Sequence, residues 1–528
     1  MKLPASSVRW AVRALAVAAV LGFVWLVARF WHPVYGFTAF LQVDADNEYP
    51  KIAAFHDQPV YLYHHAGGYD GQFYAQLAYD PTLANPEFQT TIDDVAYRGR
   101  RILMPALAWL LSGGRPAWIA QVDAALNVAA WLVLAALLWR LLAVTDARGF
   151  IAWAGLLFSV GALGSVRLAL TDLPALVLVA AAVWSFERAR PHGAAGWLAA
   201  AALTRETSLL AWPGLWSGSW RSPAAVGRNL LRGALVAAPL VAWLGYLRWR
   251  VGGLSGGADN LAWPLNGLVD KWHEGLAAVL HPDNPLLAWT TLLATAGLTA
   301  QALFVLLRPR PADPWWRAGV GFVALLAVLG TPVWEGTPGA ATRVLLPLQL
   351  ASNVLAQRTR APLGWLLACN LTVFAGLVTL RDVPYDRYEL AAVRQHGLAC
   401  VLRLDPSWYG REVNAHHTWS WSAAGGGLEF DCWPRSARVA VQATLRLQSP
   451  SPARATIVCR GRTLWSGPVG QPLTTVTLPP EAADAGRLEL TITTDGAPVR
   501  ERGGADARQL GLALFDPVIR LGVAPASP

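Results

Sequence analysis

The sequence predicts an α-helical polytopic membrane protein that carries a C-terminal exported β-sandwich of jelly-roll kind. Three observations predict it. Of 528 residues, 54% are apolar and only 15% charged, where an ordinary soluble domain is roughly 25% charged. A soluble fold of this length could not hide so many Leu, Ala, Val and Trp side chains, because the buried fraction rises only slowly with size. Apolar stretches close to the roughly 20 residues that a bilayer crossing needs recur along the first 380 positions. Beyond Asp382 the pattern changes to short alternating segments punctuated by Pro and Gly. The composition excludes disorder, which lacks apolar residues, and a collagen-like repeat, which needs a strict glycine period that the 47 scattered glycines do not show.

The excess of 43 Lys and Arg over 34 Asp and Glu, a net +9, reads as cytoplasmic loops and not as a nucleic-acid surface. The first span covers 10–31, with Lys2, Arg9 and Arg13 at its start. No small-residue cleavage site ends it and more spans follow, so it reads as a retained helix with a cytoplasmic N-terminus. Further spans are expected at 117–142, 150–166, 173–186, 228–249, 286–307, 317–333, 344–356 and 362–380. The interval 194–219 is less regular, with two apolar pieces of about a dozen residues flanking Thr204, Arg205 and Glu206. Both of its flanks, 187–192 and 220–232, are rich in arginine and should be cytoplasmic, so the interval enters and leaves by one face as a hairpin or re-entrant pair. Arg205 and Glu206 then sit at its far tip. The same threading puts the basic groups at 140–148, 308–317 and 358–360 inside. The expected total is about eleven spans with an exported C-terminus.

This division gives a membrane domain over 1–381, including a first exported loop at 32–101, and an exported domain over 382–528. The pieces 251–284 and 334–342 are also exported. The cytoplasmic loops are short, which leaves no room for a domain that would take a soluble nucleotide-activated donor. Chemistry is therefore expected on the exported face.

In the tail, strands are expected at 439–447, 455–459, 474–478, 488–493 and 510–515. Trp408, Tyr409, Trp419, Trp421 and Trp433 have two readings, as platforms for sugar rings or as core and interface anchors. The four cysteines, Cys369, Cys400, Cys432 and Cys459, lack zinc-ligand spacing. One disulfide between exported cysteines stays open.

Ionisable groups near the exported ends of spans are candidates for function, because such groups are costly at membrane depth. The first exported loop is richest, with Asp44-Ala45-Asp46-Asn47-Glu48, Gly68 to Tyr74, Asp93-Asp94 and Tyr97-Arg98-Gly99-Arg100-Arg101. Asp44-Ala45-Asp46 resembles the opening of a calcium-binding loop, but Tyr49 stands where glycine is needed and Phe55 where a bidentate glutamate belongs. No metal ligands are assigned, and a looser divalent-cation site stays open. His64-His65 and His416-His417 are adjacent pairs without the spacing that puts two imidazoles on one helical face, and read as polar surface.

The stretch Tyr69-Asp70-Gly71-Gln72-Phe73-Tyr74-Ala75-Gln76-Leu77-Ala78, then Asp94 to Arg98 and Arg101 to Pro105, resembles bacterial polytopic glycosyltransferases of the GT-C superfamily. Arg167 to Asp172, Leu203 to Leu210 and Arg343 to Pro347 extend the resemblance over roughly the first 380 residues. It implies a multi-span enzyme of the bacterial cytoplasmic (inner) membrane that takes sugar from a polyprenyl-phosphate donor, with an acidic residue in the first exported loop. The acceptor is an exported glycan, lipid or protein, and membrane lipid is the other partner.

In that chemistry the acceptor hydroxyl loses its proton as it attacks the anomeric carbon, and a placed carboxylate contributes on the order of 10² to 10⁴ in rate. Asp70 is the preferred base, because its glycine-flanked turn precedes a helix. Asp44 and Asp46 compete for the role. Arg98, Arg101, Arg205 and Arg343 are the candidates for the departing phosphate. Tyr69, Gln72, Tyr97, Asp172 and Glu206 support them. Inversion by single displacement is inherited from the resemblance. Bland readings stand beside these: Asp70 shaping an Asp-Gly turn, Arg100 and Arg101 anchoring to headgroups, Arg205-Glu206 as a local ion pair, and Asp172 capping the helix that follows it. A transporter or flippase of lipid-linked saccharides, a non-catalytic scaffold, and a glycan polymerase or ligase are the competing functions.

Overall fold

The computed structural model describes residues 5–45, 49–64, 67–219, 221–253, 257–500 and 508–524. The chain forms two compact units. One comprises Met1–Phe30, Phe37–Ile52 and Leu62–Val383, and the other Trp31–Gly36, Ala53–Tyr61 and Pro384–Pro528. The stretch after the first apolar helix is thus divided, with its segments 31–36 and 53–61 belonging to the β-rich unit.

The first unit is helical. Among the described residues five helices are long and apolar enough to cross a membrane: Ser7–Ala28, Pro116–Leu141, Ala147–Arg167, Pro223–Val251 and Pro285–Leu307. Three of them open on proline, whose missing N–H and fixed φ suit a first turn. Ser222 and Asn284 cap two of these by accepting backbone N–H bonds. Pro314–Val328 and Leu363–Thr379 are shorter apolar helices. The intervals expected at 173–186, 194–219 and 344–356 hold Asp172–Glu187, Pro191–Thr204 with the 3-10 turn Glu206–Leu215, and Leu346–Arg358.

The arginine-rich loops expected on one face meet at one end of this unit. Arg358 pairs with Glu187 at 2.5 Å and reaches Asp313 at 3.7 Å, while Arg360 pairs with Asp146 at 2.9 Å. Glu187 ends the helix Asp172–Glu187, and Asp172 at its other end meets Arg205 and Arg343. Sixteen residues of α-helix span about 24 Å, so the two ion-pair clusters lie at opposite ends of the helical unit.

Between them is a buried amide network. Asn370 and Asn353 exchange two side-chain hydrogen bonds, at 2.7 and 3.0 Å, and Gln349 donates to Asn370, to the Thr372 hydroxyl and to the Gly155 carbonyl. Gly155 is required here, since a Cβ at that position would sit 2.3 Å from Asn370 Oδ1.

The second unit is all-β. One antiparallel sheet runs 462–469, 453–459, 487–494, 425–433, 398–404, 389–395, and the other 474–477, 439–448, 512–523, 418–422, 412–413. Strand Val439–Gln448 alternates buried and half-buried positions along its length. A single buried cluster draws on both sheets, including Leu402, Phe430 and Ile457 from the first and Val441, Leu445 and Leu514 from the second.

The segments 31–36 and 53–61 join this unit through polar contacts. His32 Nε2 lies 2.5 Å from Glu389, Arg394 donates to the Val34 carbonyl at 2.9 Å, and both Asp57 carboxylate oxygens accept from Ser436. Trp408 and Trp433 are buried, which makes them core anchors and removes them as sugar platforms. Trp419 is half-buried and stacks on Phe515, and Tyr409, 37% exposed, lies under Arg508. Cys400 and Cys432 face each other on neighbouring strands with sulfurs 3.2 Å apart, and all four cysteines are free thiols.

Replacing Asn370 with Leu strands the amides of Asn353 and Gln349 in apolar surroundings, where an unmet polar group costs about 1–3 kcal/mol. Thermal unfolding of the purified protein in detergent is expected to shift to lower temperature by several degrees. An unchanged midpoint would show that the network contributes nothing.

Candidate functional site

The turn that opens the helix Asp70–Leu77 is set by close packing. Tyr69 is extended, and Gly71 lies so near the chain of the 167–172 loop that a Cβ would meet the Leu168 carbonyl oxygen at 2.3 Å. Only glycine permits that approach, so Gly71 fixes where Asp70 sits. Asp70 occupies the first helical turn, where a carboxylate is favoured by the backbone dipoles.

A cavity of about 660 Å³ lies in front of it. Among the described residues five arginines line it: Arg98, Arg100, Arg101, Arg205 and Arg343. Five carboxylates face them: Asp70, Asp93, Asp94, Glu206 and Asp259. Arg98 is held by two of these, with Nη1 2.8 Å from Asp70 Oδ2 and Nη2 2.6 Å from Asp93. Its guanidinium also lies over the rings of Phe73 and Tyr97. Arg101 makes a forked pair with Glu206 at 3.0 and 3.1 Å and donates to the hydroxyls of Tyr74 and Tyr97. Tyr97 is positioned in turn by Asp94, which caps its short helix and accepts the Tyr97 N–H at 2.8 Å.

Behind the wall, Asp172 pairs with Arg205 at 2.8 Å and approaches Arg343 at 3.7 Å. Arg343 donates to the Tyr69 hydroxyl at 2.6 Å. Asp172 forms no cap: the residue before it, Thr171, stands at the helix start without a side-chain capping bond. The capping role considered for Asp172 is thus replaced by a bridge between two guanidiniums, because two buried cations so close to each other need an anion more than a helix end needs an acceptor. Arg205 and Glu206 do not pair with each other. Each turns to a different partner, Asp172 and Arg101.

Asp70, Arg98, Arg101, Arg205, Arg343, Tyr69, Tyr97 and Glu206 therefore line one cavity, with Asp172 bridging two of its arginines. Asp44 is not among the described residues that line it. Asp44 is buried in a two-residue strand, and its backbone N–H donates to the side chain of Gln72, so Gln72 braces that strand and is itself buried away from the cavity. Asp46 and His65 lie outside the described residues. Among the described residues no group of three or more His, Cys, Asp or Glu is arranged to hold a metal ion.

Burial alone would raise the proton affinity of the Asp70 carboxyl, but the guanidiniums of Arg98, Arg343 and Arg101 outweigh it and hold Asp70 below the usual carboxylate range. Burial likewise disfavours charge on Arg98, yet Asp93 and Asp70 keep it more firmly protonated than usual. Both partners are ionised at neutral pH. The lowered affinity of Asp70 means that its pairing stabilises the folded protein above the ordinary aspartate range and that this contribution fades as pH falls below it.

Some residues at the site have no role marked in the sequence. Tyr74, which accepts from Arg101, stands in the Tyr69–Ala78 stretch without a role of its own, and Asp93 precedes the capping Asp94 without any spacing that marks it. Arg100 makes no ion pair among the described residues, its Nε is buried without a hydrogen-bond partner, and its guanidinium lies over Tyr97. That it stands in the run Tyr97-Arg98-Gly99-Arg100-Arg101 was the only sign in the sequence. No protein-family model and no curated protein matches the chain, so this geometry supplies the functional reading.

Two outcomes are expected. Asp172→Asn leaves Arg205 and Arg343 facing each other without their shared anion, and loss of one member of a buried ion cluster costs about 3–5 kcal/mol. Unfolding in detergent should show a loss of that order, and a loss below about 1 kcal/mol would deny the bridge its weight. Carbodiimide, which labels protonated carboxyls, is expected to leave Asp70 unmodified from about pH 4 to 7 in the native protein. In Arg98→Gln the labelling should appear at higher pH, because the largest attractive charge is gone. Identical labelling curves, read by peptide mass spectrometry, would contradict the assignment of Arg98 as that charge.

Proposed function

We propose that this protein is a membrane glycosyltransferase that moves sugar from a polyprenyl-phosphate donor to an exported acceptor. The observation that carries the proposal is a carboxylate, Asp70, held in a cavity with five arginines at one end of a bundle of apolar helices. In this reading the chain crosses the bacterial cytoplasmic membrane about eleven times, the shorter helices completing the count of crossings. The N-terminus is cytoplasmic, and the tail is an exported jelly-roll-like β-sandwich.

Asp70 acts as the base. Attack on the anomeric carbon turns the acceptor hydroxyl into a strongly acidic oxonium-like group, so a carboxylate of low proton affinity suffices to take the proton late in the step. The same low affinity keeps it ionised and ready. The proton passes from the acceptor oxygen to Asp70 as the new glycosidic bond forms and the bond to phosphate oxygen breaks. Attack comes from the face opposite the leaving group, and the configuration inverts.

The leaving phosphate needs positive charge, and the cavity supplies it in two forms. Arg100 carries no carboxylate partner among the described residues and is available from the start. Arg98 shares its guanidinium between Asp70 and Asp93, so a phosphate that takes over one of its donors releases Asp70 for the acceptor. Arg343 and Arg205, fixed by Asp172, and Arg101, fixed by Glu206, hold their guanidiniums in a preorganised wall. A polymerase or ligase of lipid-linked glycans would use the same groups with a larger acceptor.

The test is transfer from a panel of radiolabelled polyprenyl-phosphate sugars by protein reconstituted in lipid. Asp70→Asn is expected to lower the rate by about 10² to 10⁴, and Asp46→Asn to leave it within a few-fold. Transfer lost only in Asp46→Asn would move the base to that residue. Flux of lipid-linked saccharide across vesicles with no new glycosidic bond would replace the proposal with a transporter.

A further inference from the structure

At the far end of the helix Asp172–Glu187 from the Asp70 cavity lies a second arginine-lined hollow of different character. Arg9 and Arg13, one turn apart on the helix Ala5–Ala28, face Arg140 at the end of Pro116–Leu141 and Arg188 just beyond Glu187. The hollow encloses about 340 Å³. In the Asp70 cavity three carboxylates of the wall, Asp70, Asp93 and Glu206, are paired with arginines; here no carboxylate is among the described residues that line the wall. None of the four arginines makes an ion pair among the described residues. Arg13 lies against Trp10 and Arg188 against Trp184, 5.5 and 3.9 Å from the ring centres. Four like charges gathered without an anion repel one another, and a bound anion is what relieves them.

The hollow opens into an apolar groove of about 630 Å³, and Arg13 and Trp139 line both. From there the groove runs between the two helices, floored by Ala16 and Ala136 and walled by Leu21 and Leu132. The small residues leave the space. From Arg13 to Leu21 the helix advances about 12 Å, enough for the upper half of an extended acyl chain. Trp139 stands at the junction and Trp10 lines the groove, and indoles favour a membrane interface.

We infer that this is a binding site for an anionic membrane phospholipid, with the phosphate among Arg9, Arg13, Arg140 and Arg188 and one acyl chain in the groove between Ala5–Ala28 and Pro116–Leu141. The occupant must be amphipathic, since the charged hollow and the apolar groove are one continuous surface. It is anionic, since every charged side chain among the described residues that line the hollow is a guanidinium. The inference is independent of the sugar-transfer reading, because it uses none of the residues of the Asp70 cavity. It places the lipid at the arginine-rich end of the bundle, where a leaflet of anionic headgroups would also hold the helices in their orientation.

The test uses the full-length protein in nanodiscs or detergent, with retained lipid counted by native mass spectrometry. Phosphatidylglycerol is expected to be retained over phosphatidylcholine. In Arg13→Gln/Arg140→Gln/Arg188→Gln the affinity for phosphatidylglycerol should fall by roughly fivefold for each arginine, about 100-fold in all. Ala136→Phe fills the groove and should weaken the phospholipid while leaving inorganic phosphate protection of the arginines, read by phenylglyoxal labelling, unchanged. The side chains removed are surface arginines, and thermal unfolding of each variant reports whether the fold persists. Equal retention of the two lipids, or undiminished phosphatidylglycerol binding by the triple variant, overturns the proposal. Phosphate protection of the arginines together with phospholipid retention that Ala136→Phe does not weaken would mean that the groove holds no acyl chain and that free phosphate, and not a lipid, is the occupant.

Discussion

The bridge made by Asp172 is the constraint on which the candidate site depends. Five guanidiniums cannot be gathered at the end of a helical bundle unless their charge is answered nearby, and isolated charges taken out of water are costly. The carboxylate of Asp172 is almost wholly buried, with 2% of its side chain exposed, and it sits between Arg205 and Arg343. Those two arginines come from parts of the chain far apart in sequence. Holding them fixes the 3-10 turn that begins at Glu206 and the short helix Ala341–Val344 against the start of Asp172–Glu187. Glu206 then meets Arg101, and Arg343 meets Tyr69 beside Asp70. One buried anion therefore sets the register of most of the cavity wall.

What could be read from the sequence followed from local signals. Apolar runs located the long helices, because a helix facing lipid must be apolar over its whole length. Alternation located the strand Val439–Gln448 and its neighbours, because a half-buried sheet alternates at every residue. Charge asymmetry anticipated that Arg358, Arg360 and the loops carrying Asp146, Glu187 and Asp313 would share one end of the bundle. What could not be read depended on partners distant along the chain. The Asp172 side chain looked like a helix cap because a cap is a local pattern and a bridge to residues 205 and 343 is not. Likewise 31–36 and 53–61 carry nothing that distinguishes them from the rest of the stretch 32–101, and contacts such as His32 with Glu389 and Asp57 with Ser436 draw them into the β unit.

The two arginine-rich cavities show how the same residue type serves opposite ends. In the Asp70 cavity four of the guanidiniums, those of Arg98, Arg101, Arg205 and Arg343, are answered by carboxylates and held in place, so their charge is directed at particular positions. Preorganised dipoles and charges of this kind favour a transition state over solvent, because nothing has to reorient as charge develops. In the second hollow the four arginines are exposed and unmatched, and they border an apolar groove. That arrangement suits a resident lipid that is bound and not transformed. The helix Asp172–Glu187 joins the two, with the anionic bridge at one end and Arg188 beyond the other.

The central claim is that the Asp70 cavity receives a lipid-phosphate sugar. A polyprenyl-phosphate sugar bearing a photoreactive group beside the phosphate, irradiated with the reconstituted protein and mapped by peptide mass spectrometry, tests it most directly. The account predicts crosslinks on the peptides that carry Arg98 to Arg101 and Arg343, suppressed by excess unlabelled donor. Crosslinks confined to the peptides of Arg13 and Arg140, or labelling that unlabelled donor does not suppress, would contradict it.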